Sequence, residues 1–333
     1  MKKFLVILLC LLMVTSSVLA ASVKPESEWK IAVVPKEDLS PWFVRMKVGV
    51  DMFASETGLN AYQKGPAKLD AAMQVQVVQD MIAQGVDAIC VVPIDPAALE
   101  PVLDDAMSKG IVVVTHEGST QQNTMVNIEA FVNKDFGAFL MDNLAKVMGE
   151  KGVYTTMVGF LTNASHNEWM DGAVAHQKAN YPNMTLLEAE PRVESEDNRE
   201  RAYERAKELF KKYPELGGII GSASTDAPGA GKAAEELGIA GKFAIVGTGT
   251  PNENRIYLES KAISAIGLWD PADAGYAMCS MAVKLLRGET PVNGMDLGRP
   301  GWDNMNYQEE GSKTMVGSGW ISIDSTNVGD FDF

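Results

Sequence analysis

The stretch MQVQVVQDMIAQGVDAICVV, Met73 to Val92, decides the fold. Met73, Val77, Val78, Met81 and Ile82 recur on one helical face, Gly85 stops the pattern, and VDAICVV comes next as an unbroken apolar run. The first part predicts a helix, the glycine its left-handed stop, and the last part a strand buried on both faces. The same phrase returns as AMSKG then IVVVT, KELFKKYPELG then GIIGSA, AAEELGIAG then KFAIVGT, and SKAISAIGLW leading into Asp270. Strands alternating with helices of this length predict parallel sheets covered by helices on both sides. A chain of 333 residues exceeds what one such sheet uses. Two α/β lobes, each a doubly wound parallel sheet, are therefore expected.

Working outward, the first residues read as an export signal. Lys2 and Lys3 precede the apolar run Phe4 to Val14, and Val18-Leu19-Ala20 fits a small-residue cleavage site, so cleavage near Ala20 and a periplasmic location are expected. The apolar run is too short for a membrane-spanning helix. Cys10 lies inside that run behind Leu9, which argues against a lipid anchor. The formal net charge of −15 supplies no basic stripe for nucleic acid or anionic lipid. Cys90, in AICVV, and Cys279, in a helical pattern, read as two buried thiols rather than a disulfide framework.

In open parallel sheets, ligands bind beyond the carboxyl ends of the strands, so the residues just past each strand carry the functional information. After IAVVP come Lys36, Trp42 and Phe43; after IVVVT, His116 and Glu117; after TTMVGF, a loop with His166, Asn167 and Trp169. GIIGS leads to Ser222, Ser224 and Asp226, AIVGT to Thr248 and Thr250, and the last strand ends at Trp269-Asp270. Aromatic rings that can cover apolar C–H faces, beside carboxylates, amides and a lysine that can bond hydroxyls, suit a small polyhydroxylated ligand. The candidate ligand-binding residues are Lys36, Trp42, Phe43, His116, Glu117, His166, Asn167, Ser222, Ser224, Thr250, Trp269 and Asp270. The segment RVESEDNRERAYERAKELFKKYP reads as a charged helix with a solvated face.

These residues together resemble the type I periplasmic sugar-binding proteins of ABC importers, and within them the rhamnose-binding and autoinducer-2-binding subgroup. The marks are IAVVPK, Trp42-Phe43, IAQGVDAI, DPAAL, KGIVVVT, HNEW and VGTGTPNENRIYLESKAISAIGLWD, spread from Lys30 to the final GDFDF. The resemblance implies two α/β lobes joined by a three-crossover hinge and closing on one ligand. It makes Lys36 a ligand-bonding lysine, Trp42 and Phe43 a wall of the pocket, and Trp269 and Asp270 the hinge-side tryptophan and its polar neighbour. Glu117 stands where the family commonly has an aspartate, and Asn167 where sugar binders often have an arginine. Ser165-His166, Ser222-Ala223-Ser224 and Gly249 depart from the charged partners of autoinducer-2 or ribose sites. The resemblance thus implies a ligand class rather than one ligand: a sugar, a polyol or, as the alternative, autoinducer-2 or a related furanosyl signal.

The expected organisation is an export signal over 1–20, a first lobe of 29–127 plus 270–291, and a second lobe of 128–269 plus 292–333. Crossovers are expected near Met125 to Ile128, Trp269 to Pro271 and Pro291 to Gly294, with the tail packing irregularly across the hinge. An ABC permease is the expected partner, with a chemoreceptor as a second candidate; a monomer without cofactor, metal or nucleic acid is expected. An enzyme is the main rival. It would rely on His116 and His166, but no GxSxG, HExxH or GxxxxGK[ST] motif accompanies them. A repressor with the same fold would need a DNA-binding motif ahead of Lys30, where the export signal lies.

Overall fold

The computed structural model describes residues 24–333, and the export signal read at Met1 to Ala20 lies outside the described residues. The apolar runs form the strands the sequence predicts: β1 (Lys30–Val34), β3 (Ala88–Val91), β4 (Val112–His116), β6 (Gly152–Val158), β9 (Leu216–Gly221), β10 (Ala244–Gly247) and β11 (Ala265–Leu268). Strands with weaker signals complete the sheets: β2 (Asn60–Gln63), β5 (Val126–Glu129), β7 (Met184–Leu186), β8 (Arg192–Glu194), β12 (Asn306–Tyr307), β13 (Thr314–Val316) and β14 (Ile321–Ile323).

The first sheet runs β12-β13-β5-β4-β3-β1-β2, and the second runs β14-β11-β10-β9-β6-β7 with β8 also paired to β6. Both cores are parallel; only β12 and β14 run antiparallel to their neighbours. β1 lies between β2 and β3, and β6 lies between β9 and the pair β7 and β8, so each sheet has a topological switch point at its carboxyl edge.

The helices between them are α1 (Pro41–Thr57), α2 (Ala71–Ala83), α3 (Pro96–Ser108), α4 (Asn133–Met148), α5 (Ala164–Asn180), α6 (Arg199–Lys212), α7 (Asp226–Glu236), α8 (Pro251–Glu259) and α9 (Pro271–Leu286). Four of them begin alike: a polar residue (Ser40, Asp95, Thr250 or Asp270) holds the cap position and proline takes the first helical position. Proline's missing N–H is harmless there and its fixed φ already suits a helix. The Asp95 carboxylate accepts hydrogen bonds from the Ala97 and Ala98 amides, and that of Asp270 accepts one from the Ala272 amide.

Two lobe boundaries fall elsewhere than expected. β5 pairs with β4 in the first sheet, so the first crossing comes after Glu129, ahead of α4, rather than at Met125 to Ile128. The third lies between β13 and β14, at Gly317 to Trp320, rather than at Pro291 to Gly294. The assignment of all of 292–333 to the second lobe is corrected accordingly. β13 pairs parallel with β5 and covers an edge that would otherwise stand open, so the proline and glycine near 291–294 mark a turn within the first lobe. The charged segment is also only part helix: Arg192–Glu194 is a strand, and α6 starts at Arg199. Cys90 and Cys279 are buried and free.

The helix pair α1 and α9 supports the first sheet's face from which Trp42 reaches the hinge. A Cβ on Gly49 would lie 1.7 Å from the Ala272 carbonyl oxygen, so the pair touches backbone to backbone there. Gly49→Ala is expected to force the helices apart and lower stability by about 1–3 kcal/mol, as overpacked cores do. Urea unfolding checks this; an unchanged midpoint would show that the contact is not constrained.

Candidate functional site

The carboxyl ends of the two sheets face each other across a cleft with about 430 Å³ of atom-free space. Lys36, Trp42, Phe43 and Glu117 line it from the first lobe. His166, Ser222 and Ser224 line it from the second, and Trp269 from between them. All eight are candidates that the sequence alone singles out.

Lys36 follows β1 by two residues and Glu117 follows β4 by one. Each is only 3% exposed, and the Lys36 ammonium donates to Glu117 Oε2 at 2.8 Å. Burial alone would keep the Glu117 carboxyl neutral; the ammonium overrides it and holds the pKa at about 2. Burial opposes the charge on Lys36 as well, but the carboxylates around it leave its pKa raised. The backbone of Glu117 sits at φ +56, a left-handed conformation uncommon for a side chain of this kind. Such strain persists only where surrounding contacts over-determine it. One of those contacts crosses the cleft: Ser165 Oγ donates to Glu117 Oε2 at 3.3 Å.

The strand ends are held by buried amides. Gln74, fully buried on α2, donates to the carbonyls of Pro35 and Val92 and accepts from the Ile94 amide, at 2.8–3.0 Å. It thereby fastens the ends of β1 and β3 at the first switch point. Ser119 Oγ donates to Glu168 Oε1 at 2.6 Å, Asn133 donates to Oε2 of the same carboxylate, and Trp169 Nε1 donates to Asn133 Oδ1. This chain links the first lobe to α5 and fixes the indole of Trp169, another lining residue. Trp269 is the aromatic hub. Its ring meets Trp42 at 4.8 Å, Phe131 at 5.3 Å, His116 at 5.6 Å and Trp169 at 5.6 Å, mostly edge to face.

Four of the named residues do not line the cavity. His116 lies beneath it, with Nδ1 bonded to the Ile128 carbonyl at 2.8 Å and Nε2 4.0 Å from Glu117, beyond hydrogen-bonding reach. Asn167 is tied down: its amide donates to the carbonyls of Phe160, Leu161 and Asn163, and its oxygen accepts from Arg192. Thr250 caps α8 and bonds Glu253. Asp270 caps α9 and holds Arg45 through two bonds of 2.8 and 2.6 Å. Two of these four, Thr250 and Asp270, lie just past strand ends, and the capping of the next helix claims both.

Sequence reasoning misses Glu37, Ser40, Leu69, Thr225 and above all Asp197; Trp169 and Thr248 stand at legible strand ends but are not among its candidates. Asp197 follows β8 at φ +48 and is half-buried at the cavity wall. Burial raises its pKa, with Lys36 opposing the shift and Glu117 reinforcing it. Its neighbours Glu196 and Asn198 make it read as surface charge.

His166 is buried, and burial together with Lys36 pushes its pKa down to about 3, so it stays neutral and its Nδ1 accepts from the Gly159 amide. No group of three or more histidine, cysteine, aspartate or glutamate side chains placed to hold a metal occurs among the described residues. The lining instead sets hydroxyl, carboxylate and imidazole groups beside the faces of aromatic rings.

Residues 31–290 match the model of the periplasmic binding protein domain. The chain belongs to this family, whose fold has two α/β lobes and whose members bind substrates rather than transform them. Among curated proteins, the D-ribose/D-allose-binding protein of Pseudomonas aeruginosa is 26% identical over 298 residues, 80% of this chain and 85% of that protein. Among solved structures, LsrB from Clostridium saccharobutylicum in complex with AI-2 superposes with a TM-score of 0.84 at 21% identity, covering 91% of this chain and all of that one. A solute-binding protein from Clostridium phytofermentas with bound L-rhamnose gives 0.83 at 20% identity, covering 91% and 98%.

One buried carboxyl gives the protein a characteristic pH response. Glu129, at the end of β5, is 3.7 Å from His116 Nδ1, accepts from Asn127, and has Glu117 and Glu168 nearby. Burial, with those two carboxylates, pushes its pKa up to about 8. An unfolded glutamate ionises near ~4.3. Its contribution to stability is therefore complete below that pH and is lost as pH rises through about 8. Thermal midpoints of wild type and Glu129→Gln are expected to differ least in acid, to separate as pH rises toward about 8 and to keep a constant gap above it, the variant becoming the more stable. Parallel curves would place the ionisation of Glu129 elsewhere.

Proposed function

We propose that this protein captures a sugar or sugar-like polyol between its lobes and delivers it to an ABC import permease, working outside the cytoplasmic membrane. The observation that carries this reading is a set of unpartnered polar atoms around the cavity. Trp269 Nε1, Thr225 Oγ1 and Thr248 Oγ1 are buried without a hydrogen-bond partner among the described residues, and all three residues line the cleft. A buried donor or acceptor left unpaired costs roughly 1–3 kcal/mol. A ligand with several hydroxyls, each able to donate and accept, satisfies them together, while Trp42, Phe43, Trp169 and Trp269 supply apolar faces. The two threonines lie in the second lobe and Trp42, Phe43 and Lys36 in the first, so only the closed arrangement engages both sets. Ligand that binds this state better than the open one shifts the hinge equilibrium toward it.

The bound ligands of the relatives support the class: ribose and allose, rhamnose and AI-2. A monomer that docks on a permease, and in some settings on a chemoreceptor, fits two lobes whose relative position reports occupancy. The test is a thermal-shift screen of the mature protein with pentoses, deoxyhexoses, hexoses, polyols and autoinducer-2. Mass action requires a true ligand to raise the melting temperature. A strong response to one member is expected, and titration calorimetry with Trp42→Ala should then show a loss of about 1–3 kcal/mol. A panel without any response would sink the reading, and unchanged affinity in the variant would remove Trp42 from the site.

A further inference from the structure

Which charge the ligand carries is legible in the cavity's own ions. Lys36 invites an acidic ligand when seen in isolation, but its ammonium is already committed to Glu117 at 2.8 Å inside the wall. No arginine lines the cleft among the described residues. The remaining charged groups there are carboxylates: Asp197 in the second lobe, and Glu37 near the first lobe's rim, half-buried and repelled by Asp197. Asp197 accepts no hydrogen bond from any described residue. Its approach to the cavity depends on Gly159, because a Cβ at that position would lie 2.3 Å from Asp197 Oδ1. A left-handed backbone at φ +48 and a neighbour without a side chain thus present an acceptor-only group to the ligand.

Resting on the sugar-capture reading, we propose that Asp197 is the specificity-determining residue that sets ligand charge: the cleft takes neutral and amine-bearing sugars and rejects sugar acids and sugar phosphates. Hydroxyl and ammonium donors make charge-assisted bonds to the carboxylate. A carboxylate or phosphate brings like charge toward Asp197 in an enclosed site where the one lining lysine among the described residues is already ion-paired with Glu117, and like charges in contact are strongly disfavoured there.

The experiment is titration calorimetry on the mature protein with D-glucose and D-galactose, their 2-amino forms and their uronates, alongside D-ribose, ribose 5-phosphate and L-rhamnose. In wild type the acids and the phosphate are expected to bind at least ~100-fold more weakly than the best neutral parent. Asp197→Asn should narrow that gap by ~10-fold or more, because one full charge is removed from beside the ligand. Glu196→Gln removes the same charge from the exposed neighbour, outside the cavity, and should leave the ratio unchanged. An acid or phosphate bound as tightly as its neutral parent overturns the proposal. So does an unchanged ratio in Asp197→Asn, or an equal narrowing in Glu196→Gln. Neutral sugars that bind while these ratios fail overturn the charge assignment alone. Silence from every sugar here and from the whole thermal-shift panel, polyols and autoinducer-2 included, overturns both it and the capture reading.

Discussion

A lysine and a glutamate, both withdrawn from water, set the terms for the rest of the cleft. Bringing either charge inside alone is prohibitive, and together they are tolerable because they touch with good geometry. Lys36 is fastened by the strand end that Gln74 ties to β3, and Glu117 by a left-handed turn that ordinary chain would avoid. The pair consumes the site's cation, which leaves the cavity polar without being basic. It also gives the second lobe something to reach for, since Ser165 meets the same carboxylate oxygen from across the cleft. Removing either partner strands the other as an unpaired buried charge, so the two residues act as one unit.

Around that pair the hinge is aromatic. Trp269 sits between β11 and α9 and touches rings from both lobes, so the crossover is packed like a core and not like a linker. The rings pack mostly edge to face, an arrangement that adds to the burial of their area. The polar chain from Ser119 through Glu168 and Asn133 to Trp169 is different in kind: it is directional, and opening the lobes breaks it at Ser119. Closure therefore combines an apolar pivot with a few specific bonds at the rim.

The sequence reveals this architecture wherever side-chain pattern and backbone demand coincide. Runs such as AICVV and IVVVT are buried on both faces and have no alternative reading. The strand ends beyond them then place Lys36, Trp42, Glu117 and Trp269 in the cleft. Edge strands escape notice because one side faces solvent: RVE and the two-residue NY carry no apolar alternation long enough to register. The late crossover is illegible for a related reason, since pairing β13 with β5 is a contact between distant residues that local pattern does not encode. Thr250, Asp270 and Asn167 mislead because caps and loop ties use the same polar residues as ligand sites. Asp197 is hidden by its own neighbours: a carboxylate in a charged run looks solvated until a glycine elsewhere is seen to admit it.

The placement of β13 and β14 also bears on when the protein can become itself. Both sheets are finished by short strands drawn from residues 314–323, one on the flank of β5 and one on the flank of β11. A chain emerging from its amino end has the five central strands of the first lobe long before the strand that covers their edge. Neither sheet is complete until this segment arrives, and it is placed by pairings of long sequence separation. One short segment late in the sequence therefore closes both lobes at once.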